Sequence, residues 1–476
     1  MNSAIYWFRN DLRLADLPGL AAAAASGYAV VPCYILDEEA DGDWAPGGAS
    51  RWWLHHSLAA LDASLRKLGS ALHIRRGKSA HELLALATEV GASAVYCSEA
   101  CEPRGRLLLR ATSDSLWAAD IALQVHPGGL LFHPDAIRTG GGQPYRVFTP
   151  FWRACMNQPE PAPPLRAPRA AHFAAVQPPG LDIDELALRP VKPDWAAGWQ
   201  QLWQPGEAGA AAALRRFLKD ALDEYPQGRD FPALNATSRL SPHLHFGEIS
   251  PRQVWHALQG AAGADAAARN KFLAELGWRE FSYQLLYHNP EMPVLPLKRN
   301  FGSMPWLAQE GHLQAWQRGR TGYPIVDAGM RELWQTGFMH NRVRMITASF
   351  LTKHLLLPWQ WGERWFWDTL VDADLANNSC GWQWVAGCGA DAAPYFRIFN
   401  PILQGRKFDP EGHYIRRWVP ELAALPTKYL FAPWEAPAAV LASAAVDLGA
   451  NYPLPIVDHQ QARESALQAY AAISNT

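Results

Sequence analysis

Residues 28–36 read YAVVPCYIL, nine residues that are apolar almost throughout and rich in β-branched and aromatic side chains. A helix with one wet face would interrupt such a run every third or fourth position, so this stretch reads as a strand buried on both faces. Four more runs share its character: AIYWF at 4–8, SALHIRRG at 70–77, SAVYCSE at 93–99 and IALQVHP at 121–127. Helical patterns separate them, among them ASRWWLHHSLAALDASLRKLG at 49–69, AHELLALATEV at 80–90 and RGRLLLRATSDSLWAA at 104–119. Strands alternating with helices predict an open parallel sheet covered on both faces, a Rossmann-like α/β domain over residues 1–130. No GxGxxG follows the first strand, so the dinucleotide fingerprint of that fold is missing.

Outward from this domain the character changes. Residues 159–205 hold ten prolines with little periodicity, which reads as the core of a connector over 131–205. From 206 to 476 the pattern is helical nearly throughout, as in ARNKFLAELGWREFSYQLLYH, MHNRVRMITASFLTKHLL and GERWFWDTLVDADLANN, and predicts an all-α domain. The 476 residues are 49% hydrophobic and 18% charged with a net charge of −2, which excludes a uniformly basic nucleic-acid coat. Any polyanion site must be a local patch. The start, MNSAIYWFRNDLRLADLPGL, has no basic segment followed by a long apolar run, and no stretch is long enough to span a membrane, so the reading is cytoplasmic. Six scattered cysteines read as reduced, buried thiols rather than a metal set. Of 22 tryptophans, eleven lie between Trp278 and Trp418.

Several helices carry polar groups that a purely structural helix would not choose. Glu275, Trp278, Arg279 and Ser282 recur at helical spacing, so one face presents an acid, an indole and a guanidinium together. Asn341 and Met345 share a face one turn apart, flanked by Arg342 and Arg344 in an otherwise apolar helix. A buried Arg344 must find an anion, and Asp372 or Asp374 can supply it. Thr237, Ser238 and Ser241 surround a turn before an apolar helix, which suits either an N-cap or a phosphate. In GWQWVAGCGADAAPYFRIFNP, residues 381–401, Gly381, Gly387 and Gly389 read as small residues making room for close approach.

Taken together, WFRNDLR, RDFPALNATSRLSPHLHFGEISP, ELGWREFSYQLLYHNP, TGYPIVDAGMRELWQTGFMHNRVRM, DADLANNSCGWQW and DAAPYFRIFNPILQGRKFDPEG resemble the photolyase and cryptochrome flavoproteins over nearly the full length. Within that family the chain is similar to the cyclobutane pyrimidine dimer photolyases, and GWREFSYQLLYHNPEMP with AGCGADAAPYFRIFNP resembles the bacterial group called class III. The resemblance implies an antenna-binding domain at 1–130 and FAD held in the helical domain at 206–476. It places Tyr225, Thr237, Ser238, Leu240 and Ser241 around the cofactor's phosphates, with Phe272 and Phe338 lining the pocket where close relatives carry Trp. Arg344 paired with Asp372 would lie against the flavin ring, Asp374 near its ribityl or pyrimidine edge, and Asn378 would face N5, where plant cryptochromes carry Asp.

The implied chemistry is light-driven electron transfer from reduced FAD to a pyrimidine dimer in DNA, opening of the cyclobutane ring and return of the electron. Trp278 and Trp384 would stack on the extruded bases, Met345 would pack against the lesion, and Asn341 and Glu275 would hydrogen-bond its polar edges. Arg229, Arg279, Arg342 and Arg397 would meet flanking phosphates; residues 271–420 hold 16 Lys plus Arg against 13 Asp plus Glu, a local patch. Trp382, Trp359 and Trp306 match the family's electron-transfer chain, from the flavin outward. A methenyltetrahydrofolate (5,10-methenyltetrahydrofolate) is the antenna the subclass implies, although CEPRGRLL lacks the Asn-Glu pair of folate-binding relatives, so no antenna residue is assigned. No metal is expected, and a monomer is. A cryptochrome-type photoreceptor would share the fold and FAD, yet the repair-pocket residues Trp278, Asn341, Met345 and Asn378 are all in place. A (6-4) photolyase is expected to place a second histidine where this chain has Asn341, beside His340.

Overall fold

The computed structural model describes residues 3–175, 180–261, 263–392 and 396–474. The chain forms two compact units that interleave in sequence. The first gathers Met1–Asp223, Ser238–Pro290 and Val371–Ala376; the second gathers Glu224–Thr237, Glu291–Leu370 and Asn377–Thr476.

The first unit contains the expected sheet. Strands β1 (Ser3–Phe8), β2 (Ala29–Leu36), β3 (His73–Arg76), β4 (Ala92–Ser98) and β5 (Ala122–His126) lie in the order β3-β2-β1-β4-β5, every neighbouring pair parallel. The apolar runs are strands because both faces are covered: β1 and β2 are buried residue after residue, whereas the edge strand β5 is largely exposed. On one face, the helices Ser79–Val90 and Pro103–Trp117 set Leu83, Leu86, Leu109 and Leu116 against Ile5, Val31, Ile35 and Val95. The same unit holds the helix Ala266–His288, opened by the Asp265 carboxylate accepting from the Ala267 amide at 3.0 Å. Its second half is buried on nearly every side, including Leu276, Gly277, Glu280, Phe281, Tyr283 and Leu285. Gly277 is required there, since a Cβ would lie 2.5 Å from the Trp152 ring.

The second unit is helical. Its main elements are Pro324–Thr336, Asn341–Ser349, Trp359–Thr369, Leu375–Ala386 (which enters from the first unit), Pro401–Phe408 and His459–Ser474. Two sequence-based helices come out differently. The run 339–356 reads as one helix, but after Ser349 it widens into a π-helical turn over Phe350–His354. The run 362–378 breaks after Thr369, and the 371–374 segment turns away because Asp372 and Asp374 are taken by side chains of the first unit, described below.

None of the six cysteines is in a disulfide, and all six are buried. Burial pushes the thiols of Cys33, Cys97 and Cys388 up to about 12 and those of Cys101 and Cys155 higher still. Among the described residues no helix is long and apolar enough to cross a membrane.

Candidate functional site

In the first unit, the turn before Ser241–His245 has Leu240 at the cap position and no side-chain cap. Its hydroxyls are used otherwise: Ser238 Oγ accepts from the Leu240 amide at 3.3 Å, and Ser241 Oγ donates to Asp372 at 2.6 Å. Asp374 accepts from the Tyr283 hydroxyl at 2.6 Å and lies 3.4 Å from His245 Nδ1. Burial works to raise the Asp374 carboxyl, but hydrogen bonds and charge from His245, Arg279 and Tyr283 outweigh it and hold the group well below the usual carboxylate range. The result is a fixed anion inside the unit. Phe272 is buried, 4.4 Å from the Phe217 ring.

On the helix Ala266–His288, Glu275 and Trp278 are half-buried. Trp278 lies flat on Phe148, with centroids 3.9 Å apart at 8°, and Phe148 is in turn parallel to Trp152 at 6.5 Å. Phe148 was not singled out from the sequence; the only local signal is its spacing of four from Trp152. Arg279 is turned inward: it donates to the Gly129 carbonyl at 2.8 Å, contacts Glu280 at 3.5 Å and covers the Tyr283 ring. Burial pushes the Glu280 carboxyl up to about 7, and it accepts from the amides of Leu131 and Phe132 at 2.9 and 3.1 Å.

In the second unit, the helix Asn341–Ser349 starts with His340 at its cap, whose Nδ1 accepts from the Arg342 amide at 3.2 Å. Burial pushes His340 down to about 4, so it is a neutral acceptor at neutral pH. Asn341 is exposed and Met345 half-buried one turn on. Arg342 pairs with Asp230 at 2.8 Å and covers the Phe408 ring, while Arg344 Nε donates to the Met339 carbonyl at 2.7 Å with its guanidinium over Phe338. Tyr225 is buried under the guanidinium of Arg229, and Arg397 is exposed. Thr237 also belongs to this unit.

Asn378 donates from Nδ2 to the Glu363 carbonyl at 3.0 Å, which leaves its amide oxygen turned the other way. Beside it, the Glu363 side chain is fully buried; burial raises its carboxyl far above the usual range, so it stays protonated, and Ser379 Oγ donates to it. Glu363 therefore adds no fixed negative charge beside Asn378. Trp382 is 2% exposed and meets Phe366 and Trp316 edge-on at 5.0 and 6.2 Å. Gly362 is what admits its ring. Trp359 is buried as well, and Trp306 is half-buried. Trp384 donates to the Asp391 carbonyl at 3.1 Å.

Between the two indoles sits Gln383, fully buried and unremarked in the sequence. Its amide nitrogen donates to the carbonyls of Met292 and Leu295, its oxygen accepts from Leu297, and its own carbonyl accepts from the amides of Gly387, Cys388 and Gly389. Gly387 sits at φ 98°, and a Cβ on Gly389 would approach Trp384 N to 2.9 Å, so both glycines are needed here. Gly381 is not: a Cβ there meets nothing within 4 Å, because the helix presents that position to open space.

The polar groups in this part of the chain suit a flavin: an oriented amide oxygen, a neutral acid, buried aromatic rings, and an indole N–H of Trp382 that is buried with no partner among the described residues. Comparison with known proteins decides the matter. Residues 4–169 match the domain family described as DNA photolyase, and residues 272–472 match the FAD binding domain of DNA photolyase. The chain belongs to the photolyase and cryptochrome family. Residues 272–472 are accordingly a photolyase-type FAD-binding domain. A deoxyribodipyrimidine photo-lyase of Agrobacterium fabrum is 50% identical over 99% of this chain and 98% of its own length. Cryptochrome-1 of Arabidopsis thaliana is 40% identical over 97% of this chain but 69% of its own length. The crystal structure of a bacterial class III photolyase from Agrobacterium tumefaciens superposes with a TM-score of 0.97 at 50% identity, covering 100% of this chain and 98% of that one. An archaeal photolyase from Sulfolobus tokodaii, solved with two FAD molecules, superposes at 0.84 with 30% identity over 99% of this chain and 100% of that one.

Proposed function

We propose that this photolyase-family chain repairs cyclobutane pyrimidine dimers in DNA under light. The observation that carries the reading is the end-to-end similarity to a deoxyribodipyrimidine photo-lyase, in a chain whose Asn378 amide is oriented beside a neutral Glu363. Bound and reduced, FAD supplies the light-excited electron that opens the cyclobutane ring. Around it we place Tyr225, Thr237, Ser238, Leu240, Ser241, Phe272, Phe338, Arg344, Asp372, Asp374 and Asn378. The outward amide oxygen of Asn378 accepts a hydrogen bond without offering a proton, and the protonated Glu363 behind it adds no repulsion to an electron-rich ring.

Photolyases are themselves a known case of enzymes that take their target out of the base stack. Trp278, backed by Phe148, and Trp384 offer flat faces to extruded bases, each stack contributing about 1–3 kcal/mol. Met345 is a polarizable wall, and Asn341 and Glu275 bond the polar edges of the lesion. Arg229, Arg342 and Arg397 meet phosphates, while Arg279 holds Glu280 and the Tyr283 ring inside the first unit. We assign residues 1–130 to antenna binding, 131–205 to the connector and 206–476 to FAD and catalysis, a division by role. The antenna is a methenyltetrahydrofolate, and the protein is a cytoplasmic monomer. A near-ultraviolet band lost on extraction of the purified protein identifies the folate; a second flavin equivalent overturns that assignment.

The test of function is loss of dimers from a thymine-dimer oligonucleotide under calibrated light with the flavin chemically reduced. Repair is expected; none at all leaves the photoreceptor reading. Arg342→Ala and Arg397→Ala should each weaken binding and reduce the slope of log K against log salt by about one. Unchanged slopes in both remove them from the DNA face. Glu275→Gln should bind damaged DNA nearly normally and repair with moderately lower yield per photon. Glu275→Ala leaves a polar edge of the lesion unsatisfied, costing about 1–3 kcal/mol, and should lose both affinity and yield. Full activity in the alanine variant would discard the role.

A further inference from the structure

Lys353 is a buried cation that the repair reading leaves unused. It lies in the π-helical turn Phe350–His354, where the 339–356 run departs from its expected helix, and turns of this kind are frequent at functional sites. Its side chain is 1% exposed, yet no carboxylate pairs with it among the described residues. Instead Nζ donates to the Arg397 carbonyl at 2.8 Å and stands 3.8 Å over the Phe396 ring. One turn earlier on the same face, Ser349 Oγ accepts from the Phe399 amide at 3.4 Å. Residues four apart thus grip the Arg397 carbonyl and the Phe399 amide, two main-chain groups of an irregular segment, 396–400, while the Arg397 side chain stays exposed. Lys353 and Ser349 also line, with Trp384, Val385, Arg397 and Phe399, a small open recess.

Burying an ammonium without a counter-ion is unfavourable, and the desolvation shows in a Lys353 titration pushed down to about 7. Methionine would fill the same volume without that cost. What methionine lacks is a donor for the Arg397 carbonyl. We infer that Lys353 is a positioning residue for damaged DNA: through the main chain of Arg397 it fixes the segment that aims the Arg397 guanidinium and walls the recess beside Trp384. This rests on the dimer-repair reading above. The role is one of binding and not of photochemistry, because Lys353 touches protein backbone and no reacting atom.

The test is a double-mutant cycle on the full chain loaded with FAD, using a thymine-dimer oligonucleotide and its undamaged twin. Lys353→Met should fold, melt no lower than wild type, and bind the dimer oligonucleotide about tenfold more weakly, as expected for loss of one charge-assisted hydrogen bond. Repair per photon at saturating DNA should be unchanged. In an Arg397→Ala background the same change should cost less than about twofold, since the group it positions is gone. Unaltered affinity in Lys353→Met, or losses that simply add, overturns the proposal. Should Lys353→Met fail to retain FAD, Lys353→Leu, which likewise removes the donor, is carried through the same cycle with the same criteria. A wild-type protein that fails to prefer the dimer over its undamaged twin refutes the repair reading instead.

Discussion

Trp382→Phe is expected to abolish most light-driven reduction of oxidised FAD by an external reductant, while repair by chemically pre-reduced protein survives. The indole is buried against Phe366 and Trp316, with no hydrogen-bond partner for its N–H among the described residues. Phenylalanine keeps an aromatic filler but removes the easily oxidised ring, so the two readouts separate electron supply from catalysis. The smaller ring leaves space worth about 1–3 kcal/mol, which a thermal melt will register without loss of the fold. Photoreduction at the wild-type rate would mean that the electron enters by a route that bypasses Trp382, and the outward order Trp382, Trp359, Trp306 would fall with it.

Gly362→Ala should act on the same ring from the other side. A Cβ at Gly362 would lie 2.0, 2.5 and 2.6 Å from Cη2, Cζ3 and Cζ2 of Trp382, closer than atoms can approach. Both residues are buried, so relief must come from moving the indole or the helix Trp359–Thr369, at about 1–3 kcal/mol or more. The melting temperature should fall by several degrees and photoreduction should slow, whereas affinity for undamaged DNA, set elsewhere, should stay unchanged. A variant that melts and photoreduces like wild type would show that the helix yields freely and that Gly362 does not fix the ring.

The sheet was legible because a strand covered on both faces advertises itself locally, as YAVVPCYIL does. The site was legible only in pieces. Asn341 and Met345 announce themselves by helical spacing, but the break at 371–374 carries no local mark: Asp372 bonds Ser241, and Asp374 meets Tyr283 and His245, all about 90 or more residues away in sequence. Phe148 lies 130 positions before the indole it supports. Glu363 was not singled out from the sequence, and only its complete burial shows it to be a neutral group. Gln383 had a faint signal, an amide between two tryptophans, but its hold on the 292–297 connection becomes visible only in the folded chain. Local physics specifies elements; long-range hydrogen bonding specifies where they stop.

The six buried thiols have a practical corollary. Maleimides react with exposed thiolates, and a thiol held near 12 inside the protein offers neither exposure nor charge. A single cysteine placed on an exposed position, such as Arg110 in the first unit, will therefore take a fluorophore while all six native cysteines are left in place. Dye conjugation for single-molecule experiments needs no cysteine-free background in this chain, which spares the packing that Cys33 and Cys97 give to the sheet.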